Sequence, residues 1–247
     1  MRNLIIFFFI FLTINSFSQD DAKGKVFSTI FWNFNSDFAK NSSKKNAFEI
    51  KRVYLGYDYN LDDKLSAKIT FDVGKNSSGS SYTAFLKTAQ IDWKLEKNVK
   101  LSFGIIGNKQ FKFQEKIWGY RYVYKTFQDE NKFGSSADIG VNAEFKLSNN
   151  LTFNAFILNG EGYKNLQDDD GYMKIGGNLI YEFSNGLSAK LYYDSEPGDE
   201  NFNVTNVGYF IGYSINKSRI GIEYNKINNA ESYNNPSLDS NLSGYSF

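Results

Sequence analysis

Leu65-Ser66-Ala67-Lys68-Ile69-Thr70-Phe71-Asp72-Val73-Gly74 decides the fold class. Successive side chains of a strand point to opposite sides, so Leu65, Ala67, Ile69, Phe71 and Val73 share one face. Ser66, Lys68, Thr70 and Asp72 share the other. The same period-two alternation recurs outward from this segment in both directions. On the N-terminal side it aligns Val53, Leu55, Tyr57 and Tyr59. On the C-terminal side it aligns Ala89, Ile91, Trp93 and Leu95, then Val99, Leu101, Phe103 and Ile105. Ile139, Val141, Ala143, Phe145 and Leu147 follow, opposite Asp138, Gly140, Asn142 and Glu144. Further faces are Leu151 to Ile157, Ile175 to Phe183, Leu187 to Tyr193, Val207 to Ile215, and Ile220 to Tyr224, each taken at every second residue. With a weaker first strand near 25–35 and a short last one near 241–247, the pattern predicts twelve strands and no helical period.

The segment before these strands is of another kind. Residues 1–3 carry one positive charge, and residues 4–14 (LIIFFFIFLTI) form an apolar run too short to span a bilayer as a helix. Ser16 and Ser18 supply small residues before a cut, so residues 1–18 are expected to be a signal peptide and 19–247 the mature protein. Arg2 leaves with that segment, and the mature chain holds equal numbers of basic and acidic residues. Export without a second long apolar run leaves a secreted β-sandwich or a transmembrane β-barrel.

Composition removes other classes. The chain has no Cys and no His, which excludes disulfides, thiol nucleophiles, Ser-His pairs and imidazole metal sites. Its near-neutral charge, 28 Lys+Arg against 27 Asp+Glu, gives no basic field for nucleic acid. Asp168-Asp169-Asp170-Gly171 lacks the spaced ligands and closing Glu of a calcium loop. No catalytic residue, metal or cofactor is expected.

Connection lengths separate sandwich from barrel. Residues 60–64, 96–98, 148–150, 184–186 and 216–218 are tight turns. Between them stand longer polar connections at 38–47, 75–81, 108–136, 159–171, 195–203 and 228–240. Outer-membrane barrels alternate short periplasmic turns with long outer loops, and their strands are apolar outside and polar inside. Aromatic residues gather at strand ends, as in Tyr57 and Tyr59, Trp93, Tyr181 and Phe183, Tyr192 and Tyr193, and Tyr224, where interfacial girdles would sit. The expectation is an all-β, antiparallel up-and-down transmembrane barrel of about twelve strands. The short last strand leaves open a truncated, larger barrel of 16 strands.

The connection 108–136 is too long for an ordinary turn and alternates aromatics with charges, so it is expected to fold into the lumen as a constriction. Lys112, Glu115, Trp118, Arg121, Lys125, Asp129 and Glu130 are its candidate functional residues. The polar faces nominate Arg52, Lys68, Asp72, Asp92, Lys100, Asp138, Glu144, Lys174, Glu182, Lys190, Asp194, Arg219 and Glu223 as lumen-lining, beside Asp58. Acids outnumber bases there, so the mix predicts weak ion selectivity, or selectivity set in the loop by Lys112, Arg121 and Lys125.

Phe111, Phe113, Glu115, Trp118, Arg121, Lys125, Phe127, Asp129, Glu130 and residues 133–138, with Asn159-Gly160-Glu161-Gly162-Tyr163, carry a family likeness. They resemble the porin-like outer-membrane barrels related to the phosphate-selective porin O and P family, where a strand ending in Gly precedes a long inward loop. The resemblance implies a passive pore for small hydrophilic solutes or ions, narrowed by that loop, in the outer membrane of a Gram-negative bacterium. The expected partners are outer-membrane lipid, the solutes, and a homo-oligomer (trimer). Phosphate selectivity does not follow, because the lumen faces carry no ladder of Lys and Arg. The rival reading is a non-conducting barrel presenting 159–171 and 228–240 for adhesion or assembly.

Overall fold

A computed structural model describes residues 24–41, 46–75, 81–198, 203–230 and 241–247. The predicted signal segment and most of the connection 228–240 lie outside the described residues. The elements run β1 (Gly24–Ser36), β2 (Asn46–Asn60), β3 (Leu65–Lys75), β4 (Tyr82–Glu96), β5 (Val99–Gly107), α1 (Lys112–Trp118), α2 (Phe127–Glu130), β6 (Ala137–Lys146), β7 (Leu151–Leu158), β8 (Lys174–Glu182), β9 (Leu187–Glu196), β10 (Val204–Ile215), β11 (Ser218–Asn228) and β12 (Leu242–Ser246). The twelve strands form one sheet in sequence order, and each ladder is antiparallel. β1 and β12 are its two ends, and no ladder joins them among the described residues.

Side-chain acceptors shape the tight turns, which all lie at one end of the sheet. Asp62 Oδ1 accepts the backbone N–H groups of Lys64 and Leu65 at 2.7 Å each, and Asn185 Oδ1 accepts that of Leu187 at 3.1 Å. Such local bonds hold the backbone in a turn. In the last turn Asn216 takes φ of 52°, a left-handed conformation that Asn tolerates better than most residues.

The polarity of the sheet is inverted relative to a water-soluble protein. Asn142, Asn154, Asn178, Asn206 and Asn225 are buried on the inner face. Asn142 Nδ2 donates to Asn154 Oδ1 at 3.4 Å and Asn154 Nδ2 to Asn178 Oδ1 at 3.1 Å, making a rung across β6, β7 and β8. Ile30, Leu55, Ile69, Ile91, Val141, Ile175, Leu191, Ile211 and Ile220 stand exposed on the other face. Exposing each such side chain to water would forgo about 1.5–3 kcal/mol, so this face suits hydrocarbon. No helix among the described residues is long and apolar enough to cross a membrane.

Aromatic pairs mark both margins of the apolar face. At the long-loop end Phe48 packs on Trp32 and Phe34, with ring centroids 6.4 and 5.1 Å apart. At the turn end Tyr57 stacks with Tyr59 at 6.1 Å, Phe145 with Phe153 at 6.1 Å, and Tyr181 meets Phe183 at 4.5 Å. Tyr192 corrects the sequence expectation. It is buried on the inner face, where it stacks on Phe156 and donates its hydroxyl to Asp194, while Tyr193 points outward as expected.

Three register shifts interrupt the pairing, after Phe31, Thr70 and Lys94. The second decides a side-chain direction. Thr70 pairs with Thr88 and Phe71 with Leu86, so Lys87 is the extra residue of a bulge in β4. Leu86 stays outward, and Lys87 and Thr88 are both drawn inward.

Candidate functional site

Residues 108–136 lie against the inner face of the sheet instead of beyond its rim. Lys190, fully buried on β9, anchors the start of this loop. Its ammonium donates to the carbonyl of Lys109 at 2.8 Å, to the carbonyl of Gln110, and to Gln114 Oε1 at 2.9 Å. Lys109 Nζ in turn pairs with Glu144 at 3.2 Å, a carboxylate shared with Lys100 at 3.6 Å. α1 then sets Phe113 edge-on to Phe210 of β10, ring centroids 6.1 Å apart. Gly119 ends the helix at φ 69°, donating its N–H to Glu115 O at 2.9 Å, and the chain reverses toward α2.

The far end of the loop is pinned by Glu223 of β11, whose Oε1 accepts the Phe127 N–H at 2.9 Å. Phe133 packs with Val204 and Ile227, and its ring meets Phe127 at 5.5 Å. Glycines in the wall make this approach possible. A Cβ on Gly244 would lie 2.2 Å from Phe127 Cζ, one on Gly208 2.8 Å from Gln128 Nε2, and one on Gly212 3.0 Å from Ile117 Cγ2.

Between its helices the loop carries an ion-pair cluster. Arg121 bridges Glu115 at 2.7 Å and Asp129 at 3.2 Å, and Lys125 pairs with Asp129 at 3.6 Å. Burial raises the Glu115 carboxyl above its ordinary range, with Arg121 opposing that shift. Lys112 is exposed toward the inner space and makes no ion pair among the described residues. Trp118 is partly exposed, with its indole N–H on the carbonyl of Tyr124 at 3.3 Å, and Glu130 lies at the end of α2.

A second cluster faces it from β2, β3 and β4. Arg52 Nε lies 3.0 Å and Lys87 Nζ 3.7 Å from the buried carboxylate of Asp72, and Lys87 also donates to Tyr54 Oη at 3.2 Å. A cavity of about 720 Å³ separates the clusters, lined by Arg52, Asp72, Phe85, Arg121, Lys125 and Lys164 among others. The 159–173 connection closes over it. Tyr163 donates its hydroxyl to Asp72 Oδ2 at 2.9 Å, and the ammonium of Lys164 sits 4.3 Å from the Phe85 ring centroid. Burial, then Asp72, pushes the Tyr163 phenol above its ordinary range, so it remains the donor.

The remaining sequence-nominated residues are dispersed along the inner wall. Lys68 pairs with Asp58 at 3.0 Å, and Asp92 accepts from Gln90 at 2.8 Å and Ser102 at 2.5 Å. Asp138 accepts the N–H groups of Ile139 and Gly160, and Lys174 pairs with Glu196 at 3.0 Å. Asp194 takes Asn206 Nδ2 at 3.1 Å, and Arg219 donates to the Trp118 carbonyl at 3.3 Å. Glu182 stands exposed at the turn end of β8, away from these groups. Sequence reasoning missed Lys87, Tyr54, Tyr163 and Lys164. The bulge hid Lys87, and Tyr163 lies in a connection read as surface.

A membrane-type sheet, polar within and holding the β5–β6 loop against its inner wall, matches known proteins in two comparisons. Residues 25–113 match the model of a family described as phosphate-selective porin O and P. Over that stretch the chain is similar to that family, and its fold is porin-like. The porin fold is also seen in OmpF of Salmonella typhi, solved as a complex with daunomycin, at 12% identity and a TM-score of 0.52. That match covers 83% of this chain and 64% of the OmpF chain, so this porin-like chain spans less than two thirds of it. A loop-deletion form of OmpT from Vibrio cholerae matches at 14% identity, a TM-score of 0.46, and 84% and 70% coverage. No curated protein matches.

Proposed function

We propose that the protein is an exported outer-membrane porin, a passive, weakly selective water-filled channel for small hydrophilic solutes or ions. The observation that carries this reading is the loop 108–136 held inside an apolar-out, polar-in sheet, leaving a charged gap of about 720 Å³ beside it. The loop residues Lys112, Glu115, Arg121, Lys125 and Asp129 form one side of the constriction. Arg52, Asp72 and Lys87 form the other. Weak selectivity follows from neutralisation. Arg121 and Lys125 are matched by Glu115 and Asp129, while Arg52 and Lys87 share the single carboxylate of Asp72 and Lys112 has no ion-pair partner among the described residues, so the cations exceed the carboxylates only modestly and a weak preference for anions is expected. The outward apolar face meets outer-membrane lipid, and an oligomer such as a trimer would use part of it. No metal or cofactor enters this mechanism.

Single-channel conductance of the refolded mature chain in a planar bilayer tests the proposal, beside a variant with 111–133 replaced by a Gly/Ser linker. Discrete steps that grow on replacement, with small reversal potentials in a salt gradient, are the expected result. Heat-modifiable folding without conductance in either protein refutes it and favours a barrel that only presents its loops.

A further inference from the structure

A second cavity, of about 290 Å³, lies between α1 and the inner face of β10 and β11. Ile117, Trp118 and Phe210 make its apolar wall, and Arg219, Gly221 and Glu223 its floor. Arg219 and Glu223 are four residues apart on one strand face, so their Cα atoms stand about 13 Å apart. Gly221 lies between them, and the Phe210 ring packs over it, its Cε2 2.9 Å from where a Cβ would stand, so that ring covers the strand between the two charges.

The two ends of the floor differ in charge. Glu223 is buried, and its Oε1 accepts both the Phe127 N–H at 2.9 Å and the Ser246 hydroxyl at 3.2 Å. Its Oε2 is buried without a hydrogen-bond partner among the described residues. A buried carboxylate oxygen is costly to leave unpaired, and it suits a cationic donor best. At the other end Arg219 uses one N–H on the Trp118 carbonyl at 3.3 Å and lies 5.5 Å from the Tyr120 ring, leaving guanidinium donors for an anion. Lys125 also borders the cavity, already paired with Asp129.

We propose that this cavity binds a short apolar peptide as its zwitterion. The terminal amine donates to Glu223 Oε2, the terminal carboxylate receives Arg219, and an apolar side chain fills the space against Ile117, Trp118 and Phe210. Chain length follows from the spacing. Two or three extended residues span about 7–10 Å, which the reach of the Arg and Glu side chains completes across the floor. A single α-amino acid, with both charged groups on one carbon, cannot engage both ends. Binding here is separate from conduction and is measurable on protein in micelles.

The test titrates leucylleucine into the refolded chain in detergent, followed by calorimetry and by tryptophan emission, since Trp118 lines the cavity. Saturable binding is expected, weakened roughly tenfold or more by N-acetylating or amidating the peptide, because each removes a charge-assisted bond. Glu223→Gln should bind the free and N-acetylated peptides equally, and Arg219→Gln the free and amidated ones. No saturation overturns the proposal. So does equal affinity of the native protein for free and capped peptides, which would reveal an apolar crevice without charge recognition. The capped ligands act on unaltered protein, so the result stands even if a variant fails to fold.

Discussion

Replacing Lys190 by Met keeps the length of a buried side chain while removing the ammonium that fastens the loop to β9. Three oxygens lose this donor: the carbonyls of Lys109 and Gln110 and the side-chain amide of Gln114, the first keeping only a long bond from Asn178 Nδ2 at 3.4 Å. A hydrogen bond to a charged group is worth about 1.5–3 kcal/mol, and a buried acceptor left unpaired costs about 1–3 kcal/mol. The cost of burying the lysine charge is recovered, and water from the inner space re-pairs part of what is exposed. The net loss should be about 2–4 kcal/mol, concentrated in docking of 108–136. Denaturant unfolding of the refolded protein reads the first quantity. Limited proteolysis of the folded barrel reads the second, with new cleavage expected between 111 and 133. Full resistance of the loop and a stability change below about 0.5 kcal/mol would refute the anchoring role.

Glu115→Gln tests the loop cluster through pH. Burial raises the Glu115 carboxyl above 4.5, so its contribution to stability is complete below that value and is lost as pH rises through the raised one. The native protein should lose stability across that interval relative to Glu115→Gln in parallel unfolding curves; coincident pH profiles would count against it. Tyr163→Phe removes the hydroxyl on Asp72, and should cost about 1 kcal/mol and enlarge or destabilise the conductance steps in bilayer recordings. Gly244→Ala places a methyl 2.2 Å from the Phe127 ring, so Phe127 must move, with a loss of about 1–3 kcal/mol in thermal unfolding. Lys87→Gln takes one of two cations from Asp72 and should move the reversal potential toward cations, measured under a salt gradient.

The strands were legible because their two faces meet different media, so each alternation in the sequence survives into the structure. Ile69 to Asp72 illustrates this, alternately exposed and buried. The turns were legible through Asp62 and Asn185, whose side chains act within a few residues. What stayed hidden depends on contacts between distant segments. Lys87 lies in a bulge, and no period-two count can place a residue that breaks the period. Tyr163 acts on Asp72 from 91 residues away. Gly208, Gly212 and Gly244 are where the inserted loop comes close to the wall, a role set by a segment distant in sequence. Arg121 and Lys125 read as candidate selectors, and only their distances from Glu115 and Asp129 show that their charge is matched.

The bulge in β4 shows how such a wall can be altered by insertion. Thr70 faces Thr88 and Phe71 faces Leu86, so the ladder would run unbroken without residue 87. Removing Lys87 would leave every outward residue of the strand outward and merge its halves into one regular alternation. The extra residue therefore gives the interior a cation without exchanging any side chain of the outward apolar face. In a sheet with a strict two-residue period, one added residue usually turns half a strand inside out. Here its effect is confined to a single kink, and the charge of the inner face can be edited by indel as well as by substitution.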